Sequence, residues 1–193
     1  MWIKLVSMLL TLQCAGATTI AAAEMIPSSA GGFTLNTQIE EYAVSSHENY
    51  VKEIILTDLE GFRKGFITYG TCERPGEILR IKLKYNDRSY GFFEQLLKKY
   101  KKAFGNKPKF AGDQFGNVKG WKWSFTDEKG QIVTLSLQHN LKDSDESIGN
   151  MLKLGLPGLL DEERICFNKK HPASPDPDGS KSPESNWEIL IPR

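Results

Sequence analysis

Group transfer and hydrolysis need an activating base close to a nucleophile and an orienting group, and histidine is the scarce partner in this chain, with three among 193 residues. His139 follows Val133, Leu135 and Leu137 at two-residue spacing, so strand alternation sets all four on one face, with Asn140 beside it and Asp113 in a preceding loop. Two readings fit. One is a site at the rim of a sheet, a hydrolase centre if a nucleophile joins it; the other is a strand-end histidine hydrogen-bonded to a backbone carbonyl. His47-Glu48 opens like a zinc-protease pattern, but the helix-face pair needs a second histidine four residues on, where Val51 stands. Asp143, Asp145, Ser147 and Gly149 are spaced like the start of a calcium loop, yet Leu154 fills the position that needs a bidentate carboxylate. No Gly-x-Ser-x-Gly elbow, phosphate loop or cysteine–histidine zinc spacing occurs. The sequence therefore names no catalytic residue, metal ligand or cofactor.

Binding chemistry is better represented. Trp121 and Trp123 share a strand face and suit either an aromatic platform for sugar or peptide, or a core. Lys98, Lys99, Lys101 and Lys102 form a cationic arc on a helix, interrupted by Glu94, which suits anionic headgroups, an acidic partner or plain solvation. Trp187, Ile189, Leu190 and Ile191 form an apolar close to a polar tail and could add as a strand to a sheet edge of this protein or of a partner.

Where these groups work is set by the first 23 residues, which read as an export signal. Lys4 gives the positive start, Leu5 to Leu12 the apolar run, and Ala21-Ala22-Ala23 the small-residue cleavage site. A membrane span would need about 20 apolar residues. This run is broken by Ser7, Thr11 and Gln13. Cys14 permits a lipoprotein alternative, although Gln13 occupies the place before it where a small residue is wanted. Removing 23 residues from 193 leaves 170, enough for one domain with a core. Of 25 basic residues only Lys4 leaves, so the mature chain balances 24 basic against 24 acidic side chains and lacks the basic excess of a nucleic-acid binder. Cys72 and Cys166 remain as an even pair in an oxidising compartment, which predicts a disulfide closing 94 residues; two buried thiols are the alternative.

The elements that must position these groups follow from local patterning. Glu24 to Gly32 is small and polar, a flexible lead-in to one domain over residues 33 to 171. Phe33 to Leu35 suits a short strand, Thr37 to Tyr42 has the Thr-x-x-Glu spacing of a helix start, and Val51 to Leu59 suits a strand. Lys64 to Glu73 and Glu77 to Tyr85 flank Arg74-Pro75-Gly76 as a hairpin, in which Leu79, Ile81, Leu83 and Tyr85 alternate with wet Arg80, Lys82 and Lys84. Ser89 to Phe104 predicts a helix capped by Asp87 or Ser89 and ended by Gly105, with Phe92, Phe93, Leu96, Leu97, Tyr100, Ala103 and Phe104 on one arc. A second hairpin turns at Glu128-Lys129-Gly130, a strand covers Ile148 to Leu156, Pro157-Gly158 ends it, and a helix follows from Leu159 to about Lys169. Leu159 and Cys166, seven apart, would share the face that meets Cys72. Residues 172 to 193 form a proline-rich tail, disordered over Pro172 to Ser185. The order predicts an α+β fold, mainly an antiparallel sheet built from two hairpins with two helices packed on it.

Seven stretches, "GGFTLNTQIEEY", "GFITYGTCERPG", "RIKLKY", "KKYKKAFG", "GWKWSF", "LQHN" and "DEERICF", together resemble a group of small exported bacterial proteins of unassigned function. The resemblance spans Gly32 to His171 and implies a periplasmic or secreted domain, with no activity, cofactor or catalytic residue to carry over. The function expected is an exported binding or interaction module of the cell envelope, for an unknown protein or small-molecule ligand. A hydrolase near His139 and a self-associating envelope component are the alternatives.

Overall fold

The computed structural model describes residues 25–39, 49–105, 107–141 and 148–172. The expected export signal with Cys14, His47-Glu48, Asp143 and its neighbours to Ser147, and the expected tail with Trp187 to Ile191 lie outside the described residues.

The α+β expectation holds, with a larger sheet than two hairpins. Among the described residues, nine strands and two helices run in the order β1 Ser29–Ala30, β2 Phe33–Thr34, β3 Val51–Leu56, β4 Phe62–Gly70, β5 Ile78–Tyr85, α1 Tyr90–Phe104, β6 Lys109–Phe110, β7 Val118–Thr126, β8 Ile132–Asn140, β9 Gly149–Gly155 and α2 Pro157–Lys170. β1 and β2 form a two-stranded hairpin inside and just after the expected lead-in, and the rest make one antiparallel sheet ordered β3-β4-β5-β9-β8-β7-β6. β9 fuses the two predicted hairpins by pairing with β5 on one side and β8 on the other. Its leucines make that junction apolar. Leu154 lies between Ile81 and Leu135, and Leu152 between Leu83 and Leu137, all buried.

The same register carries the core across five strands, from Ile67 through Ile81, Leu154 and Leu135 to Trp123. α1 covers this face and buries Phe93 completely; one such side chain is worth about 1.5 to 3 kcal/mol. Its start is fixed by residues read correctly from the sequence: Ser89 Oγ accepts the Phe92 N–H at 3.2 Å, and Asp87 Oδ1 accepts the Ser89 N–H at 2.7 Å. Hydrogen bonding from the Ser89 side chain, and then from its backbone N–H, holds the Asp87 carboxyl below its ordinary range. Gly105 ends the helix. Tyr100 reaches the sheet, its hydroxyl 2.7 Å from that of Tyr85, and burial pushes both phenols up.

α2 starts with Pro157 in its first turn, where a missing N–H costs nothing, so Pro157-Gly158 opens this helix as well as closing the strand. The Cys72–Cys166 disulfide is formed, with Cα atoms 5.9 Å apart across 94 residues. Beside it Glu163, fully buried, accepts the backbone N–H groups of Thr71 at 2.9 Å, Cys72 at 2.7 Å and Arg74 at 2.5 Å. The loop after β4 is thus held to α2 by both sulfur and carboxylate. Gly70 makes room for it: a Cβ there would come within 2.5 Å of the Arg74 carbonyl and 2.7 Å of Glu163 Oε1.

Three local expectations are corrected. Thr37 to Ile39 do not begin a helix: Thr37 Oγ1 donates to the Thr34 carbonyl, Ile78 N–H bonds the Thr37 carbonyl, and Gln38 bridges Glu77, so pairing with β5's approach outcompetes the local cap pattern. Lys84, assigned to a wet face, is 3 % exposed, because β5 is an inner strand of a wide sheet. Ala103, placed on the apolar arc of the helix, is exposed in its last turn.

Candidate functional site

A groove of about 530 Å³ lies between α1 and the β6–β7 edge of the sheet. Its helical wall is a stripe at helix spacing, Tyr90, Phe93, Glu94, Leu97, Lys98 and Lys101, which is the part of the amphipathic face that reaches past the sheet's cover. The opposite wall is Phe110 from β6, with Lys119 and Trp121 from β7. Phe110 meets Trp121 edge to face, ring centroids 5.6 Å apart, and stays 60 % exposed, an open aromatic rim.

Charge is arranged over these rings. Lys101 Nζ lies 4.9 Å from the Trp121 centroid, and Lys119 Nζ lies 4.2 Å from that of Tyr90. Lys98 joins them at the border, and Glu94 is the one acidic residue in the lining. Lys99 and Lys102, from the same predicted arc, are exposed away from the lining. The groove therefore combines an apolar floor with net positive charge at its mouth.

The two tryptophans divide. Trp121 is a groove wall, whereas Trp123 is 4 % exposed in the core with its indole N–H donating to the Gly105 carbonyl at 3.0 Å. That bond ties the end of α1 to β7. Asp113 acts in the loop leading to the same strand. Its Oδ1 accepts the Val118 N–H at 3.1 Å, and its own N–H donates to the Val118 carbonyl, which brings β7 in register behind Phe110. Asn140 closes β8, half-buried opposite Val118 and Gly149.

No protein-family model, curated protein or solved structure matches the chain.

His139 sits under the groove rather than in it. It is 2 % exposed, with the rings of Tyr90 and Phe93 at 5.2 and 5.5 Å. Its Nδ1 is 2.7 Å from Oδ1 of Asn150, the facing residue on β9, in place of the backbone carbonyl expected from sequence. Asn150 Nδ2 donates to the carbonyls of Asp87 and Ser89 at 2.8 and 2.9 Å. Carbonyls only accept, so the amide orientation is fixed, Oδ1 faces the imidazole, and Nδ1 carries the proton. Nε2 is buried without a hydrogen-bond partner among the described residues. This network locks the entry of α1 to the middle of the sheet and so places Tyr90 and Phe93 at the groove's floor.

Sequence reasoning missed Tyr90, Phe110, Lys119 and Asn150. Asn150 had a signal: it falls in phase with Leu152 and Leu154, a polar residue on an apolar face, as His139 does on β8. Lys119 likewise is in phase with Trp121. Phe110 had none, since β6 is two residues long within a loop.

Proposed function

We propose that the chain is an exported binding module of the cell envelope or the extracellular space, and that its groove takes a small amphiphile: an extended or flat apolar body carrying a carboxylate or similar anionic head. The observation that carries this is the pairing of an aromatic cleft with Lys98, Lys101 and Lys119 around it against Glu94 alone. Its volume of about 530 Å³ falls within the range of about 300 to 1,000 Å³ typical of small-molecule sites. The apolar body would lie on Leu97, Phe110 and Trp121, and the head would draw Lys101 and Lys119 from the ring faces they now cover. An oxidising setting is supported by the Cys72–Cys166 disulfide, which reducing compartments disfavour. Among the described residues no helix is long and apolar enough to cross a membrane.

Isothermal titration with dodecanoate and with dodecyl maltoside, which has a neutral head, tests the proposal. Dodecanoate is expected to bind saturably and about tenfold or more tighter, a gap of about 1.4 kcal/mol, and to lose that advantage in Lys101→Ala/Lys119→Ala. Equal affinity for both detergents, or binding unchanged by Trp121→Ala, would contradict it.

A hydrolase centred on His139 is the second reading, favoured only by the unpartnered Nε2 beneath the groove. It requires Tyr90 to swing aside. His139→Ala would then abolish turnover of ester substrates; an unchanged rate would exclude it.

A further inference from the structure

The opposite face of the sheet carries a second, chemically different site. Pairing across the strands aligns Phe66, Lys82, Lys153, Ser136 and Lys122 in one row, and Thr68, Arg80, Gly155, Thr134 and Ser124 in the next. Where the rows pass Gly155, which lacks a side chain, the surface sinks into a concavity of about 270 Å³. Arg80, Lys122 and Lys153 surround it, with Ser136 and Gln138 as polar lining and Leu160 of α2 as an apolar border.

Lys82 and Lys153 are directly opposed neighbours, an arrangement that destabilises a sheet by itself. Burial, then Lys82, then Arg80 hold the Lys153 ammonium below the ordinary lysine range. Among the described residues no carboxylate pairs with Arg80, Lys82, Lys122 or Lys153: Arg80 Nε donates to Thr68 Oγ1 at 3.2 Å, and Lys82 lies 4.4 Å over the Phe66 ring. Glu53, opposite Thr68 on β3, has its carboxylate 3.4 Å from Thr68 Oγ1. Arg80, Lys122 and Lys153 line the concavity beside Ser136 and Gln138, and Glu53 reaches Arg80 only through Thr68, which leaves a shape and a charge that an anion would complete.

We infer that this concavity binds a doubly charged tetrahedral oxyanion, a phosphate group, through Lys153, Lys122 and Arg80, with Ser136 and Gln138 donating to its remaining oxygens. Such a group carries about −1.5 to −2 at neutral pH and takes charge-assisted hydrogen bonds that neutral ligands cannot match. Free phosphate and a phosphorylated lipid headgroup share this chemistry. The site is independent of the groove, lying on the other face of β7, where Lys122 alternates with Trp121 and Trp123.

The test uses the mature chain. Thermal midpoints are measured in inorganic phosphate and in chloride of equal ionic strength, and co-sedimentation is measured with phosphatidylcholine vesicles with and without phosphatidic acid. A saturable rise with phosphate supports the free anion as ligand, and sedimentation only with phosphatidic acid supports the headgroup. In either case Lys122→Gln/Lys153→Gln should bind about tenfold or more weakly, while keeping a cooperative transition in chloride. Trp121→Ala should bind phosphate as the parent chain does, so failure of the groove would leave this result standing. Absence of both effects, or effects that persist undiminished in the double variant, would overturn the site.

Discussion

The side chain on which the groove's geometry most depends is Asn150, which touches no ligand. It is fully buried and satisfies three polar groups at once, the carbonyls of Asp87 and Ser89 and the His139 imidazole. Asn150→Ala strands them, and each buried unsatisfied group costs about 1 to 3 kcal/mol. Urea unfolding is expected to show a loss of several kcal/mol, whereas His139→Phe, which removes the imidazole but keeps ring packing against Tyr90 and Phe93, should lose less. Lys153 offers a test with a defined sign. Its folded-state pKa lies below the ordinary lysine value, so the unfolded chain binds more protons between that lowered value and the ordinary one near 10.5. The penalty is full below the folded-state pKa and vanishes as pH rises through the window. Lys153→Met should therefore be more stable than the parent chain at neutral pH in chloride, with the difference shrinking on approach to pH 10.5. A constant difference would mean that the gain is packing rather than charge.

Among the elements, those defined by local rules were legible in the sequence and those defined by long-range pairing were not. Ser89 and Gly105 delimit α1 because capping acts within a single turn, and Pro75-Gly76 turns the first hairpin because Gly76 supplies the positive φ of 78°. The position of β9 between β5 and β8 could not be read, since its Leu152 and Leu154 specify a face and not a neighbour. Thr37 failed for the same reason, its cap pattern yielding to bonds with residues some forty positions away, at Gly76 and Ile78. α2 combines both kinds of signal. Cys166 was legible by its parity with Cys72, while Glu163, the residue that binds the loop's N–H groups, carried no mark distinguishing it from Glu162. The two attachments are separable. Closing 94 residues is worth about 4 to 5 kcal/mol in the chain-entropy model, so reduction should lower stability by up to that amount while Glu163 keeps the loop on α2. Glu163→Gln would turn an amide N–H₂ toward a backbone N–H and cost about 1.5 to 3 kcal/mol even with the disulfide intact. Denaturant unfolding of the two, alone and combined, measures both terms.

At the scale of the whole molecule the sheet separates two surfaces that the balanced overall charge conceals. One face is covered by α1 and the N-terminal hairpin, with the groove opening beside β6 and β7, and the other gathers Arg80, Lys82, Lys122 and Lys153. Net charge could not show this segregation, because alternation along β5 and β7 sends neighbouring residues to opposite sides. We propose the groove as the place where an anionic amphiphile binds. Its most direct test is photo-crosslinking with a dodecanoate carrying a diazirine along its chain, followed by peptide mapping of the adducts. Adducts are expected on the segments holding Tyr90 to Lys101 and Phe110 to Trp121, and excess unlabelled dodecanoate should compete them away. Labelling spread over the surface, or concentrated elsewhere and indifferent to competitor, would contradict the account.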